Sequence, residues 1–334
     1  MSISSGTSVV KPRPDRQIPA GAIDTHAHFY PAFYLDALED AGVSARQTDI
    51  ARGMRADSTA EDIKYRLEWA DKAGVATQVI SVSPQAPAVA DAHQARTLAE
   101  MINEHYLSIC TDYPHRFLAY AALPLPHIDA ALAEIDRVRR QDFVGFTINT
   151  FLPGGKSNFT VEFDPVWEAL NEIGAVVNIH PTGQGLCAPA ITDFDLHWVN
   201  GAPVEDATAV LQLLKAGINV RYPNITFHVA HLGGDLAFMA QRLEDNFTDW
   251  DAFPASPQAS LQSMYFDAAN FHEPALRAAL DTYGSTQVLS GSDFPYFQQN
   301  KYVRAFDYIR TADITEHDKA SVLRRNACAL YGCN

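Results

Sequence analysis

The chain has 334 residues, of which 47% are hydrophobic and 19% charged. That is enough to bury a large core, as one big α/β domain or two smaller ones. Forty acidic residues against 25 Lys and Arg give a formal charge of -15, which argues against nucleic acid or an anionic membrane as the main partner.

No stretch is long and apolar enough to span a bilayer. The cysteines Cys110, Cys187, Cys328 and Cys333 are scattered without a CxxC pair, so reduced thiols in a cytoplasmic protein are expected. The first twenty residues carry Pro12, Pro14 and Pro19 and no apolar segment. They read as a leading tail rather than a signal peptide, followed by a single domain over 21–334.

Strand-like and helix-like segments then alternate. The first strand, 22–26, ends in His26, with His28 two residues on. Residues two apart on a strand point the same way, so both imidazoles can grip one metal ion. A helix over 60–72 follows Ser58-Thr59, either of which can cap it. Next come a strand over 76–82, an Ala/Leu-rich helix over 90–111 and a strand over 117–122. A helix over 129–140 carries Leu132, Ile135 and Val138 at helical spacing, before a strand over 144–149. Asp164 and Pro165 signal a helix over 165–173. The strand over 175–180 ends in His180, and an insertion over 182–203 holds His197 and Trp198.

Beyond it lie a helix over 204–216 and a strand over 225–231 that ends in His231. His228 has the opposite parity and is expected to pack between strand and helix. A helix over 236–246, a strand over 264–268 and a helix over 274–282 precede the last strand, 287–291, which leads to Asp293. Helices over 301–310 and 316–330 close the chain.

Strands that are apolar on both faces suit a parallel sheet covered by helices. Eight strand–helix units predict a (β/α)₈ TIM barrel. A doubly wound open sheet is the runner-up, but no Gly-rich phosphate loop follows the first strand. Active sites in barrels lie at the C-terminal strand ends. His26, His28, His180, His231 and Asp293 all fall there, and imidazole with carboxylate suits zinc or a similar divalent ion.

The segments IDTHAHFYP, RFLAYAALPLP, FDPVWEALNEIGAVVNIHPTG, HVAHLGG, VLSGSDFPY and NACALYG together resemble one family. It is the metal-dependent decarboxylase branch of the amidohydrolase superfamily, which includes aminocarboxymuconate-semialdehyde, γ-resorcylate and 6-methylsalicylate decarboxylases. The resemblance implies that His26, His28, His180 and Asp293 ligate one divalent ion, zinc first and manganese next. It implies His231 as the catalytic histidine, with Asp293 sharing in proton transfer. Arg242 lies where some relatives place an arginine that reaches the neighbouring subunit's site, which implies a homodimer. Arg52 or Arg55 is the candidate for a second carboxylate-binding arginine.

Phe29, Tyr30, Phe294 and Tyr296 flank ligands and are candidates to line an aromatic pocket. Dinuclear relatives use a carboxylated lysine at the end of strand 4, where this chain reads Phe146-Thr147-Ile148-Asn149-Thr150. A mononuclear centre follows, with Asp24 a candidate outer partner. The expected reaction is non-oxidative decarboxylation of a small aromatic or enoic carboxylic acid. The same ligand shell suits hydrolysis of a lactone, ester or amide, and a non-catalytic binding barrel is the third reading.

Overall fold

The computed structural model describes residues 16–334, so most of the expected tail lies outside the described residues. Eight parallel strands form one sheet in chain order. We label them β1 (Ala22–His28), β2 (Val75–Ser81), β3 (Phe117–Ala122), β4 (Gly145–Asn149), β5 (Val176–His180), β6 (Thr226–Val229), β7 (Tyr265–Asp267) and β8 (Val288–Leu289). The segment after β8 returns to β1 through Thr25 N–H to Ser290 O (2.9 Å) and His28 N–H to Phe294 O (2.7 Å). The ring is thereby nearly closed, as the alternating pattern predicts.

The main helices that follow the strands are α1 (Ala60–Lys72), α2 (Ala92–Asp112), α3 (Ile128–Val138), α4 (Asp164–Glu172), α5 (Ala202–Lys215), α6 (Leu236–Trp250), α7 (Glu273–Tyr283) and α8 (Asn300–Thr311). Side-chain caps start α1, where the sequence suggests one, and α2. The Thr59 hydroxyl accepts from Asp62 N–H (3.2 Å), with Glu61 and Asp62 in the first turn of α1 and Lys72 in its last. Asp91 caps α2 in the same way, accepting from Gln94 N–H at 2.8 Å. The expected helix over 316–330 is instead Glu316–Ala320, a π-type turn over Ser321–Arg325, and α9 (Asn326–Tyr331). Short helices over Ala32–Asp40 and Ala45–Thr48, between β1 and α1, were not anticipated.

Every residue of β1, β3 and β5 is buried. The largest apolar cluster lies between strands and helices and includes Val177, Phe227, Trp167 and Leu213. Another cluster joins Ile23, Val79, Leu118, Tyr120, Val176 and Leu289 with Leu330 and Tyr331 of α9. Side chains from so many positions around one ring meet only in its lumen, so α9 plugs one end. Arg16, the first described residue, is tied to the same end, since its N–H donates to Gly332 O (2.8 Å) and its guanidinium to Tyr331 O (2.6 Å). All four cysteines are free thiols. No helix among the described residues is long and apolar enough to cross a membrane.

Candidate metal centre

His26, His28, His180 and Asp293 each offer a ligand atom, and these atoms all lie within 4.8 Å of one another. β1 supplies the first two, β5 the third, and the turn after β8 the fourth. The strand register sets the level: His28 pairs with Ser81, and His180 with Asn149. Asp293 Oδ1 stands 3.4 Å from His26 Nε2 and 3.3 Å from His28 Nε2.

The outer nitrogens are held from behind. His26 Nδ1 is 2.9 Å from Asp267 Oδ2, His28 Nδ1 is 3.1 Å from Ser81 Oγ, and His180 Nδ1 is 2.8 Å from Pro181 O. With Nδ1 of His26 and His180 donating to oxygen, their lone pairs sit on Nε2. Those two Nε2 atoms are buried and have no hydrogen-bond partner among the described residues. Orphaned lone pairs converging beside a carboxylate fit a divalent cation, with outer-sphere acceptors fixing the rings.

Electrostatics agree. Burial alone would lower the His26 pKa, but Asp267 and Asp293 outweigh it and lift it to about 9. Burial lowers His28 to about 4, and the charge of His26 adds to this. Burial and three neighbouring imidazoles hold His180 well below its usual value. Burial opposes ionisation of Asp293, yet the imidazoles of His231, His26 and His28 around it keep it well below the usual carboxylate range. Near neutral pH His28 and His180 are therefore neutral and Asp293 is ionised, while His26 holds a proton whose place a cation would take.

His231 lies on the other side of Asp293. Its Nε2 is 3.7 Å from Asp293 Oδ2, and its Nδ1 is 2.9 Å from Asp206 Oδ2. Burial would lower its pKa, but the two carboxylates raise it well above the usual value, while burial lifts Asp206 to about 7. β6 ends at Val229, and His231 has φ +51° in a 3₁₀ turn. Asp293 also has a positive φ, +56°. L-residues rarely adopt that region, and when they do it is often at working sites. The turn at His231 breaks strand parity, which corrects the expectation for His228. That ring points into the lumen, with Nε2 3.1 Å from Asp267 Oδ2. Asp206 and Asp267 carried no sequence signal beyond being acids in apolar segments.

Other expected residues fall differently. Asp24 does not join the cluster. Its carboxylate accepts from Ser292 N–H (2.9 Å), Ser292 Oγ (2.7 Å), Gln78 Nε2 (2.9 Å) and Tyr302 OH (3.0 Å), bracing the turn that carries Asp293. Phe29 and Phe294 are fully buried and sandwich the Arg66 guanidinium, which donates to His28 O. This corrects the expectation that Phe294 lines a substrate pocket. Tyr30 does border the centre, stacking on His28 at 5.6 Å, with its hydroxyl donating to Ser83 O. Arg52, the expected substrate arginine, is here paired with Glu39 (2.6 Å) and Asp36 (2.8 Å) and does not line the cleft beside Trp198. Arg55 likewise faces Glu61 at 3.4 Å. Arg242 is exposed on α6. The end of β4 carries Asn149, and Lys156 is exposed on the outer strand of a small hairpin with the buried Phe151–Leu152.

The insertion covers the rim. Trp198 lies against Gly183 so closely that a Cβ there would sit 2.2 Å from its ring, and Gly183 has φ +73°. Trp198 also stacks on Tyr296, which meets His28 edge-on. Beside this roof opens a cleft of about 1070 Å³. Its floor includes Thr147, Asn149 and Thr182, next to His180 in register or sequence. The four ligands are not in its wall; Trp198 and Tyr296 connect it to them. Arg46 is the single Lys, Arg, Asp or Glu among its lining residues.

The sequence profile described as Amidohydrolase matches residues 23–333, so the chain belongs to the amidohydrolase family. γ-Resorcylate decarboxylase of Rhizobium sp. (strain MTP-10005) is 28% identical over 289 residues, covering 80% of this chain and 86% of that protein. The crystal structure of 5-carboxyvanillate decarboxylase from Sphingomonas paucimobilis superposes with TM-score 0.83 at 23% identity, covering 95% of this chain and all of that one. The dihydroxybenzoic acid decarboxylase of Polaromonas sp. JS666, with bound manganese and 2-nitroresorcinol, gives TM-score 0.80 at 22% identity, covering 94% of this chain and 97% of that one.

Proposed function

We propose that this chain is a metal-dependent, non-oxidative decarboxylase of a small aromatic or enoic carboxylic acid. The observation that carries the reading is the shared carboxylate of Asp293. One oxygen faces His26 and His28, while the other faces His231. His26, His28, His180 and Asp293 would hold one divalent ion, zinc first and manganese as the alternative. When bound, that ion would supply Lewis-acid stabilisation of the negative charge that develops as the carboxyl group leaves.

The remaining chemistry belongs to the protein. Loss of CO₂ leaves the bonding electron pair on the ring or alkene carbon, which must gain one proton. His231, held by Asp206, supplies that proton by way of Asp293 Oδ2. The balance is carboxylate plus proton giving the C–H product and CO₂. The buried histidines exclude water and keep the transfer local. The cleft, uncharged apart from Arg46, receives the body of the substrate, with Tyr30 and Trp198 beside the reacting end.

A homodimer completes the proposal. Arg242 shares α6 with Phe238, 91% exposed, and Trp250, 75% exposed, aromatic area of the kind that partner surfaces cover. Arginine suits a substrate carboxylate because its planar fork donates two parallel hydrogen bonds. Mixed dimers of Arg242→Ala and His231→Ala chains should regain partial activity, because one hybrid site then carries both groups. No recovery in verified mixed dimers removes the cross-subunit role.

The primary test is CO₂ release from a panel of salicylates, resorcylates and enoic acids, with elemental analysis of the purified protein. One equivalent of metal and CO₂ release support the proposal. Hydrolytic turnover of lactones, esters or amides without CO₂ release replaces it with the hydrolase reading, and inertness with metal bound replaces it with a binding barrel.

A further inference from the structure

The barrel lumen holds a row of buried polar groups that the reaction above does not use. The Tyr331 hydroxyl lies 2.8 Å from that of Tyr120, which lies 2.8 Å from His228 Nδ1. His228 Nε2 is 3.1 Å from Asp267 Oδ2, and that oxygen is 2.9 Å from His26 Nδ1. No member is more than 4% exposed. β3 and β6 are not neighbours in the sheet, so the contact between Tyr120 and His228 crosses the lumen. The row thus runs from the α9 plug at one end to the candidate ligand His26 at the other.

Its hydrogen-bond directions are determined. Asp267 Oδ1 receives His231 N–H and Ala269 N–H, both at 3.2 Å. Backbone amides only donate, so with the two imidazoles four donors converge on one carboxylate, which acts purely as acceptor. His228 therefore donates from Nε2 and accepts at Nδ1. The Tyr120 hydroxyl supplies that hydrogen, with Asn178 Nδ2 behind the same atom at 3.4 Å. Tyr120 having donated, Tyr331 donates to Tyr120. At 2.8 Å against 3.4 Å, the Tyr120 hydroxyl is the nearer donor to His228 Nδ1. The far end is His26, left with hydrogen on Nδ1 and a lone pair on Nε2.

We propose that Tyr331, Tyr120 and His228 are positioning residues of the metal centre, locking Asp267 so that His26 presents Nε2 to the ion. The proposal rests on the reading that these four ligands bind a divalent cation. Without Tyr120, His228 Nδ1 keeps only Asn178 Nδ2, at 3.4 Å, as a donor. The tautomer and ring orientation that present Nε2–H to Asp267 lose their nearest support, and the orientation of His26 would loosen.

The experiment uses apoprotein reloaded with zinc, with affinity read by chelator competition, and with cobalt(II), whose visible bands report ligand geometry. Tyr120→Phe should weaken zinc binding roughly 10–100-fold, the usual effect of an outer-sphere change, and shift the cobalt bands. Tyr331→Phe leaves Tyr120 its own hydrogen and should lose less. The double variant should bind no worse than Tyr120→Phe, because the groups act in series. A folded Tyr120→Phe protein with zinc affinity within about twofold of wild type and unchanged cobalt bands, or a double variant with additive losses, overturns the proposal. If Tyr120→Phe does not fold, Tyr331→Phe decides: weaker zinc binding with shifted bands supports it, and wild-type values overturn it. A wild-type protein that binds neither metal removes the centre itself, an outcome distinct from intact binding in the variants.

Discussion

Two histidine–aspartate pairs flank the same centre and differ in how tightly they are held. In the first, Asp267 is fully buried, takes four donors and faces His26, which is 4% exposed. In the second, Asp206 is equally buried, but its Oδ1 has no partner among the described residues, and the His231 side chain is 14% exposed. The chemical pair is the same; its surroundings differ. A carboxylate with every lone pair occupied fixes an orientation, as a metal ligand requires. A carboxylate with spare capacity, beside an imidazole that also reaches Asp293, suits a proton that moves.

The widest separation between the pairs should come from removing the imidazoles. His26→Ala deletes a ligand, and both metal content and turnover should disappear, as they should in His180→Ala. His231→Ala should keep its metal and lose roughly 10²–10⁴ in turnover, the range of a positioned acid–base group. Elemental analysis beside steady-state kinetics measures both. Loss of metal in His231→Ala would make it a ligand and erase the contrast.

The legible part of this arrangement is the part carried by strand ends. His26, His28 and His180 sit on strands, where a period of two and the barrel rule fix direction and level, although a register shift between Asp24 and Ala27 turns Asp24 away from them. Asp293 follows β8 closely enough for the same logic. The supporting acids were not legible. Asp206 lies on α5 and Asp267 on β7, and their purpose appears only when the ring closes and brings β7 beside β8 and α5 over β6. His228 was misread for a related reason. Counting parity from His231 assumes one continuous strand, but the chain leaves β-structure after Val229. The short helices over Ala32–Asp40 and Ala45–Thr48 were missed as well, and the second of them is only four residues long.

A finer separation comes from neutralising each carboxylate without changing its shape. Asp267→Asn should weaken metal binding roughly 10–100-fold, because an amide cannot accept from four donors. Asp206→Asn should leave metal affinity near wild type and reduce turnover, because only His231 depends on it. Chelator competition and turnover, measured on both variants, read the two effects. Equal loss of metal affinity in both would mean that the pairs share one structural role.

The smallest effect is expected outside both pairs, at Arg52. Its guanidinium lies between Glu39 and Asp36, with Nε donating to Glu39 at 3.2 Å and a terminal nitrogen to both acids. To reach a substrate carboxylate, the arginine would have to abandon two carboxylates it already contacts. The exchange replaces charge-assisted hydrogen bonds with others of the same kind, and partly exposed ion pairs contribute little in either direction. Nor does Arg52 line the cleft; Arg46 does. Arg52→Ala should therefore leave KM and kcat within about twofold of wild type, the small change expected at a solvated ion pair. Arg46→Ala is the informative companion, since it removes the cleft's one full positive charge and should raise KM for an anionic substrate. A large rise in KM for Arg52→Ala, with no change for Arg46→Ala, would mean that the loop carrying Arg52 swings toward the rim when substrate arrives, and that the cleft is not where the substrate's body lies.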